Sequence, residues 1–329
     1  MPPMKKNAVE FVLRLVLCAL LLADSTAWAQ GYPSKPVRLV VPFPPSGGND
    51  VFARIVAQKL SEAWKQQVLV ENRPGAGGSV GTELVAKSAA DGYTLLLGHT
   101  GTLAINPALY PKLGYETLRD FAPIGTLASA PLVLVANPKT SIRNVGDIIA
   151  QAKTKPGQLN YASSGSGTGS HLSGELLQSL AGIKLTHVPY KGTAPAITDL
   201  LGGQVQIMFS VIPAALPQIK ADKLRAIAVT SVRRMPQLPD IPTVAESGVP
   251  GFESTLAYGI LAPRGTPATV LEEIRAQLAR ITATREFRER VDFEGAVVLE
   301  GSSADFAALI RAQAEKWGKV IRASGIRPE

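Results

Sequence analysis

The stretch that most constrains this chain is Val37–Arg54, VRLVVPFPPSGGNDVFAR. Val37, Leu39, Val40 and Val41 form an apolar, mostly β-branched run that stops at Pro42, the pattern of a buried strand. Pro44, Pro45, Ser46, Gly47 and Gly48 then set a tight loop that leaves backbone N–H groups open. Asn49 or Asp50 can cap the helix that follows. A helix start carries about half a positive charge and several orphan donors, so it suits a carboxylate or phosphate. An ordinary strand-to-helix turn looks the same, and this stretch alone leaves both readings open.

The pattern recurs. Phe52, Val56, Leu60 and Ala63 share one face of a helix running to Trp64. Val68–Val70 is a second strand, followed by the turn Glu71–Gly78 and a helix from Ser79. Tyr93–Leu97 is a third strand, and Gly98–Gly101 ends it on the same sheet edge as the first loop. Such βαβαβ alternation implies a parallel sheet covered by helices, with ligands beyond the strands' carboxyl ends. Phe121–Leu127 and Pro131–Ala136 read as two strands broken at Ser129-Ala130, where a domain crossover is expected. A second α/β series follows, with strand Leu159–Ser163, the loop Ser164–Ser170 and helix His171–Leu180. Further strands fall at His187–Tyr190, Val205–Phe209, Leu224–Val229 and Leu256–Leu261. Ser231–Glu253 is a Pro-rich connection, and Thr269–Ile281 and Ala304–Ile321 are amphipathic helices. The expected organisation is lobe 1 from residues 30–128 plus 257–329 and lobe 2 from residues 129–256, a hinged pair closing on a ligand.

The first 29 residues are set aside. Lys5, Lys6 and Arg14 precede the short apolar run Leu15–Ala23, and Ala27-Trp28-Ala29 is a small-x-small cleavage site. Together they describe a secretory signal peptide, and the run is too short to span a bilayer. Cys18, the one cysteine, lies in that segment, so a mature chain has no disulfide, thiolate metal site or cysteine nucleophile. The formal charge is +8; the leader's three basic and two acidic residues account for one unit, leaving +7. The basic residues are scattered and no aromatic platform accompanies them, which argues against nucleic acid.

Many ordered stretches carry a family resemblance. They include Pro42-Phe43 through Asp50, Val70–Gly78, Asp91–Leu96, Asn106–Tyr110, Leu159–Leu172, His187–Gly192, Leu238–Thr243 and Lys316-Trp317. On these the chain resembles the substrate-binding proteins of tripartite tricarboxylate transporters, the Bug family of periplasmic receptors, over nearly its whole mature length. The resemblance implies an α/β, type II periplasmic-binding-protein fold, two α/β lobes joined by a two-crossover hinge. It implies a periplasmic location, a small organic carboxylate as ligand and the membrane subunits of a tripartite tricarboxylate transporter as partners. Sensing for a membrane histidine kinase is a rival reading; a secreted α/β hydrolase is another. No cofactor or metal is expected, and the protein is expected to be a monomer.

The resemblance also implies that the carboxylate is pinned between two loops. Candidate contacts in the first are Phe43, Pro45, Ser46, Gly47, Gly48, Asn49 and Asp50; in the second, Ser164, Gly165, Ser166, Gly167, Thr168, Gly169 and Ser170, with Ser and Thr hydroxyls helping the backbone N–H groups. His99, Thr100 and Ser210 complete the set. Ser46 stands where the family usually has Gly, and Ser210 where an Asp is common, which speaks against an ammonium-bearing ligand. Asp50 reads either as a ligand contact or as a first-turn acid favoured by the helix dipole. His99 is expected at a strand end facing the cleft, whereas His171 and His187 fit structural roles. Enzyme signatures are missing. Gly165–Gly169 is not a G-x-S-x-G elbow, Gly75–Gly78 does not complete G-x-G-x-x-G, and no Walker lysine or H-E-x-x-H occurs.

Overall fold

β1 (Val37–Val41), β2 (Val68–Asn72) and β3 (Thr94–His99) pair in parallel, with β1 in the middle. Every residue of β3 is buried, as expected of a strand covered on both faces. This computed structural model describes residues 31–45 and 48–326. Between these strands run α1 (Gly48–Trp64) and α2 (Ser79–Ala86), the latter entered through a short 3-10 turn at Ala76–Gly78. A π-type turn at Gly101–Ile105 leads into α3 (Asn106–Leu109), and α4 (Thr117–Asp120) precedes β4.

β4 is one strand of 16 residues, Phe121–Ala136, and not the two that the sequence suggests. Ser129 and Ala130 do not break it because their neighbours across the sheet keep them extended: Ser129 pairs with Val297 and Ala257, Ala130 with Leu256. The first part of β4 lies antiparallel to β9 (Thr255–Pro263), which also pairs with β3. Its last part lies antiparallel to β7 (Ile207–Val211) and β8 (Arg225–Val229). β7 and β6 (Thr186–Pro189) flank β5 (Asn160–Ser163) in parallel, and the short β10 (Val297–Val298) pairs with β4. The strand path is thus β2-β1-β3-β9-β4-β7-β5-β6, one series of parallel units on each side of the β9/β4 ribbon. The Pro-rich run after β8 holds only isolated bridges.

The second series carries α5 (Val145–Thr154), α6 (Gly169–Ala181), α7 (Thr193–Gly202) and α8 (Ile212–Lys220). α9 (Ala268–Ala283), α10 (Arg285–Phe293) and α11 (Ser303–Ser324) follow β9. α8 and α10 are not apparent in the sequence. Two prolines, Pro213 and Pro217, interrupt the helical reading of α8, and α10 is mostly charged, with only Phe287 and Val291 buried.

Val40, Val85, Leu96, Phe121 and Leu261 form the core of the first series, together with Phe306 and Ile310 from the start of α11. The far end of the same helix goes elsewhere. Trp317, Val320 and Ile321 are buried with Leu176, Leu177 and Phe252 of the second series. The last helix, expected wholly in lobe 1, therefore packs on both sides. No helix among the described residues is long and apolar enough to cross a membrane.

Candidate functional site, a cleft at the strand ends

The carboxyl ends of β1, β3, β5, β6 and β7 open on one cavity of about 210 Å³. It is the crevice that α/β sheets reserve for ligands. No Lys, Arg, Asp or Glu lines it among the described residues. An anion there would meet hydrogen-bond donors and helix dipoles, with no paired carboxylates to do acid–base work.

One wall is aromatic. Phe43, just past β1, stacks on His99 at the end of β3, with ring centroids 4.7 Å apart and planes at 22°. Tyr258 meets the other part of His99 edge-on at 5.7 Å. His99 Nδ1 accepts the Gly101 N–H at 2.7 Å, so the neutral ring carries its proton on Nε2. Burial pushes this imidazole down to about 4, and it is uncharged at neutral pH. Gly101 and Gly77 also face the cavity from this side. Asn106 holds the Gly77 segment by donating to Gly77 O at 2.9 Å and Ser79 Oγ at 3.1 Å.

The opposite wall is the loop after β5 and the start of α6. Ser164, Ser166, Gly167, Thr168, Gly169 and Ser170 all line the cavity. Gly169 and Ser170 occupy the first turn of α6, where N–H groups have no acceptor within the helix. The hydroxyls of Thr168 and Ser170 are turned to protein carbonyls, Gly165 O at 2.7 Å and Phe209 O at 2.5 Å. They brace the loop, and their protons are not directed at a ligand. Gly167 must be glycine. Its φ is +75°, and a Cβ there would stand 2.6 Å from Leu109 Cδ2.

Other residues expected at the site lie behind these walls. Asp50 is buried; its carboxylate takes Arg54 Nε at 2.8 Å and Asn72 Nδ2 at 3.0 Å. Asn72 Nδ2 also donates to Phe43 O at 3.0 Å. Asp50 thus steadies the Phe43 segment from below. Thr100 Oγ1 accepts the Ala257 N–H at 2.9 Å, and Ser210 is wholly buried with its hydroxyl on Val211 O. Pro45, Asn49, Asp50, Thr100, Gly165 and Ser210 are not among the lining residues, whereas Phe43 and His99 are. Ser46 and Gly47 lie outside the described residues.

Several lining residues escape a reading from sequence. Ile105, Leu109, Leu132, Phe209, Val211 and Leu256 look like ordinary core positions, yet they form the apolar part of the cavity. Thr193, at the start of α7, and Tyr110 also face it. The Asn106-Pro107-Ala108-Leu109-Tyr110 run was the available signal, because it contributes Asn106, Leu109 and Tyr110 together.

Residues 52–326 match the family described as the tripartite tricarboxylate transporter family receptor. The chain is 37% identical over 300 residues to Protein BugT of Bordetella pertussis, covering 91% of this chain and 92% of that one. It is 40% identical over 314 residues to a UPF0065 protein of the tcbD-tcbE intergenic region of Pseudomonas sp., covering 94% and 93%. Among solved structures, R. palustris Rpa4515 with adipate superposes with a TM-score of 0.80 at 36% identity, covering 91% of this chain and all of that one. MatC from Rhodopseudomonas palustris with bound malate gives 0.76 at 33%, covering 88% and 100%. The periplasmic binding protein BugD gives 0.75 at 37%, covering 91% and 100%. The family is one of substrate-binding receptors and not of enzymes. The chain belongs to the tripartite tricarboxylate transporter receptor family, the Bug-type periplasmic solute-binding proteins.

Proposed function

We propose that the cavity takes a small organic carboxylate and that the loaded protein hands it to the membrane subunits of a tripartite tricarboxylate transporter. The observation that carries the ligand class is the start of α6 at the cavity wall, with Gly169 and Ser170 in its first turn and no acidic side chain lining the cavity among the described residues. Hydrogen bonds to a charged group are worth roughly 1.5–3 kcal/mol each, so two or three contribute about 3–9 kcal/mol before the costs of ordering are met. The apolar lining from Leu132, Phe209, Val211 and Leu256 suits a hydrocarbon body attached to that carboxylate. The adipate and malate bound by similar proteins support the same class. Family membership supports the transporter as partner.

The test is a thermal-shift screen of mono-, di- and tricarboxylates, followed by calorimetry on those that stabilise. A true ligand raises stability as RT ln(1 + [L]/Kd), about 2.7 kcal/mol at a hundredfold excess over Kd. Stabilisation by neutral sugars or nucleotides, with none by any carboxylate, would falsify the reading.

A further inference from the structure

Two imidazoles lie under the loop that forms one wall of the cavity. His171 and His187 stack face to face, with centroids 3.7 Å apart and planes at 6°. His187 Nε2 is 2.6 Å from Ser163 Oγ, and that hydroxyl also accepts the Gly165 N–H at 3.1 Å. His171, in the first turn of α6, accepts the Gly167 N–H at Nδ1, 3.0 Å away. Its Nε2 faces Glu175 Oε1 at 3.7 Å. Tyr161 stacks on His187 at 5.0 Å and donates to the same Glu175 oxygen at 2.6 Å. The titratable groups facing His171 include Glu175 on its own helix, Tyr161 on β5 and His187 on β6. Burial and Glu175 push the Tyr161 phenol far above its usual range.

An acceptor at Nδ1 needs a neutral ring with its proton on Nε2, the side of Glu175. Protonation puts a hydrogen on both nitrogens. Nδ1–H then meets the Gly167 N–H donor to donor, and the hydrogen bond cannot survive. Gly167, like Gly165 before it, has a positive φ, and as the nearer of the two its peptide orientation sets the approach to Gly169 and Ser170. The 3.7 Å stack also means that charge on one ring disfavours charge on the other.

We propose that His171 is a positioning residue for the binding loop: its neutral Nδ1 fixes the Gly167 backbone, and its protonation releases the loop and weakens ligand binding. This rests on the cavity being a carboxylate site. A dicarboxylate regains part of a proton towards pH 5.5, so the protein's share of the pH dependence is the difference between the wild type and a variant with no ring to titrate at position 171. The expected loss when His171 takes up a proton is about three- to tenfold in affinity, the worth of one hydrogen bond.

The test has two arms, both on the intact chain. In 15N-labelled, ligand-free protein, the Gly167 amide shift should follow the titration of the His171 ring. In His171→Phe, which keeps a flat ring against His187, that amide should become independent of pH and exchange faster. His171→Gln offers a non-titrating acceptor and should restore its protection. In the second arm, calorimetry with adipate and with malate should give a falling affinity towards pH 5.5 for the wild type. It should give weak binding for His171→Phe and tighter binding for His171→Gln, each falling only as far as the acid itself takes up protons. A Gly167 amide blind to the ring titration and unchanged in His171→Phe overturns the proposal. Failure of the wild type to bind either acid counts against the ligand class, and the amide arm then decides the role of His171 by itself.

Discussion

Phe43 lies flat against His99, 4.7 Å between ring centroids, so the loop after β1 and the end of β3 meet through an aromatic face. The pair has a measurable signature in acid. His99 is buried and its imidazole sits at about 4, below the unfolded value of about 6.5. Between those two values the unfolded chain takes up a proton that the folded chain refuses. Stability is full above about pH 6.5 and falls as pH drops towards 4, by up to about 3 kcal/mol from this group. Denaturant melts at pH 7 and pH 4.5 should diverge less for His99→Gln than for the wild type. Equal slopes would place the acid sensitivity elsewhere.

Gly167→Val should abolish carboxylate binding and leave a cooperative melt. The added side chain meets Leu109 within 2.6 Å and strains a backbone at φ +75°. The strain itself costs about 1–3 kcal/mol, within the tolerance of a domain of this size. A variant that binds a ligand of the wild type with unchanged affinity would remove this loop from the site.

Asp50 separates support from contact. Asp50→Ala removes the acceptor of the Asn72 amide and should destabilise by about 1–3 kcal/mol. Asp50→Asn keeps an acceptor at that place and should hold ligand affinity within about threefold, because a single loosened neutral hydrogen bond is worth little more. Calorimetry on Asp50→Asn decides it: a loss of a hundredfold or more would mean that the charge itself faces the ligand.

Ser210 is buried with its hydroxyl on its own strand. Ser210→Ala should leave the affinity for any carboxylate unchanged to within about twofold, with a stability cost near 1 kcal/mol. A marked change in ligand preference would show that β7 reaches the bound molecule through this position.

The sequence carried the two α/β series and the second loop well, for a physical reason. Strands buried on both faces read as unbroken apolar runs, as in Leu95–Leu97, and Gly–Ser loops between such a run and a helix are rare enough to be noticed. The first loop was less legible. Its Pro–Ser–Gly composition drew Phe43 and Pro45 to Asp50 into the expected site, yet of Phe43, Pro45, Asn49 and Asp50 only Phe43 lines the cavity. Composition can say that N–H groups are open, but not which way they point. Leu132, Phe209 and Leu256 were invisible because an apolar residue facing a cavity and one facing a core obey the same pattern. The unbroken β4 was hidden too: Ser129 and Ala130 have weak strand propensity, and partners 126 or more residues away in sequence hold them in place.

That strand has a further consequence. The two series are joined along β4 by continuous backbone that is hydrogen-bonded to β9 on one stretch and to β7 on the next. A slack tether would let the two sides tumble through many orientations, and a ligand would have to select one of them at an entropic cost. A paired ribbon permits little besides torsion about its own length. Any relative movement of the two walls is therefore confined to few directions before a ligand arrives, and the registration of Phe43 against Gly167 is inherited from the sheet.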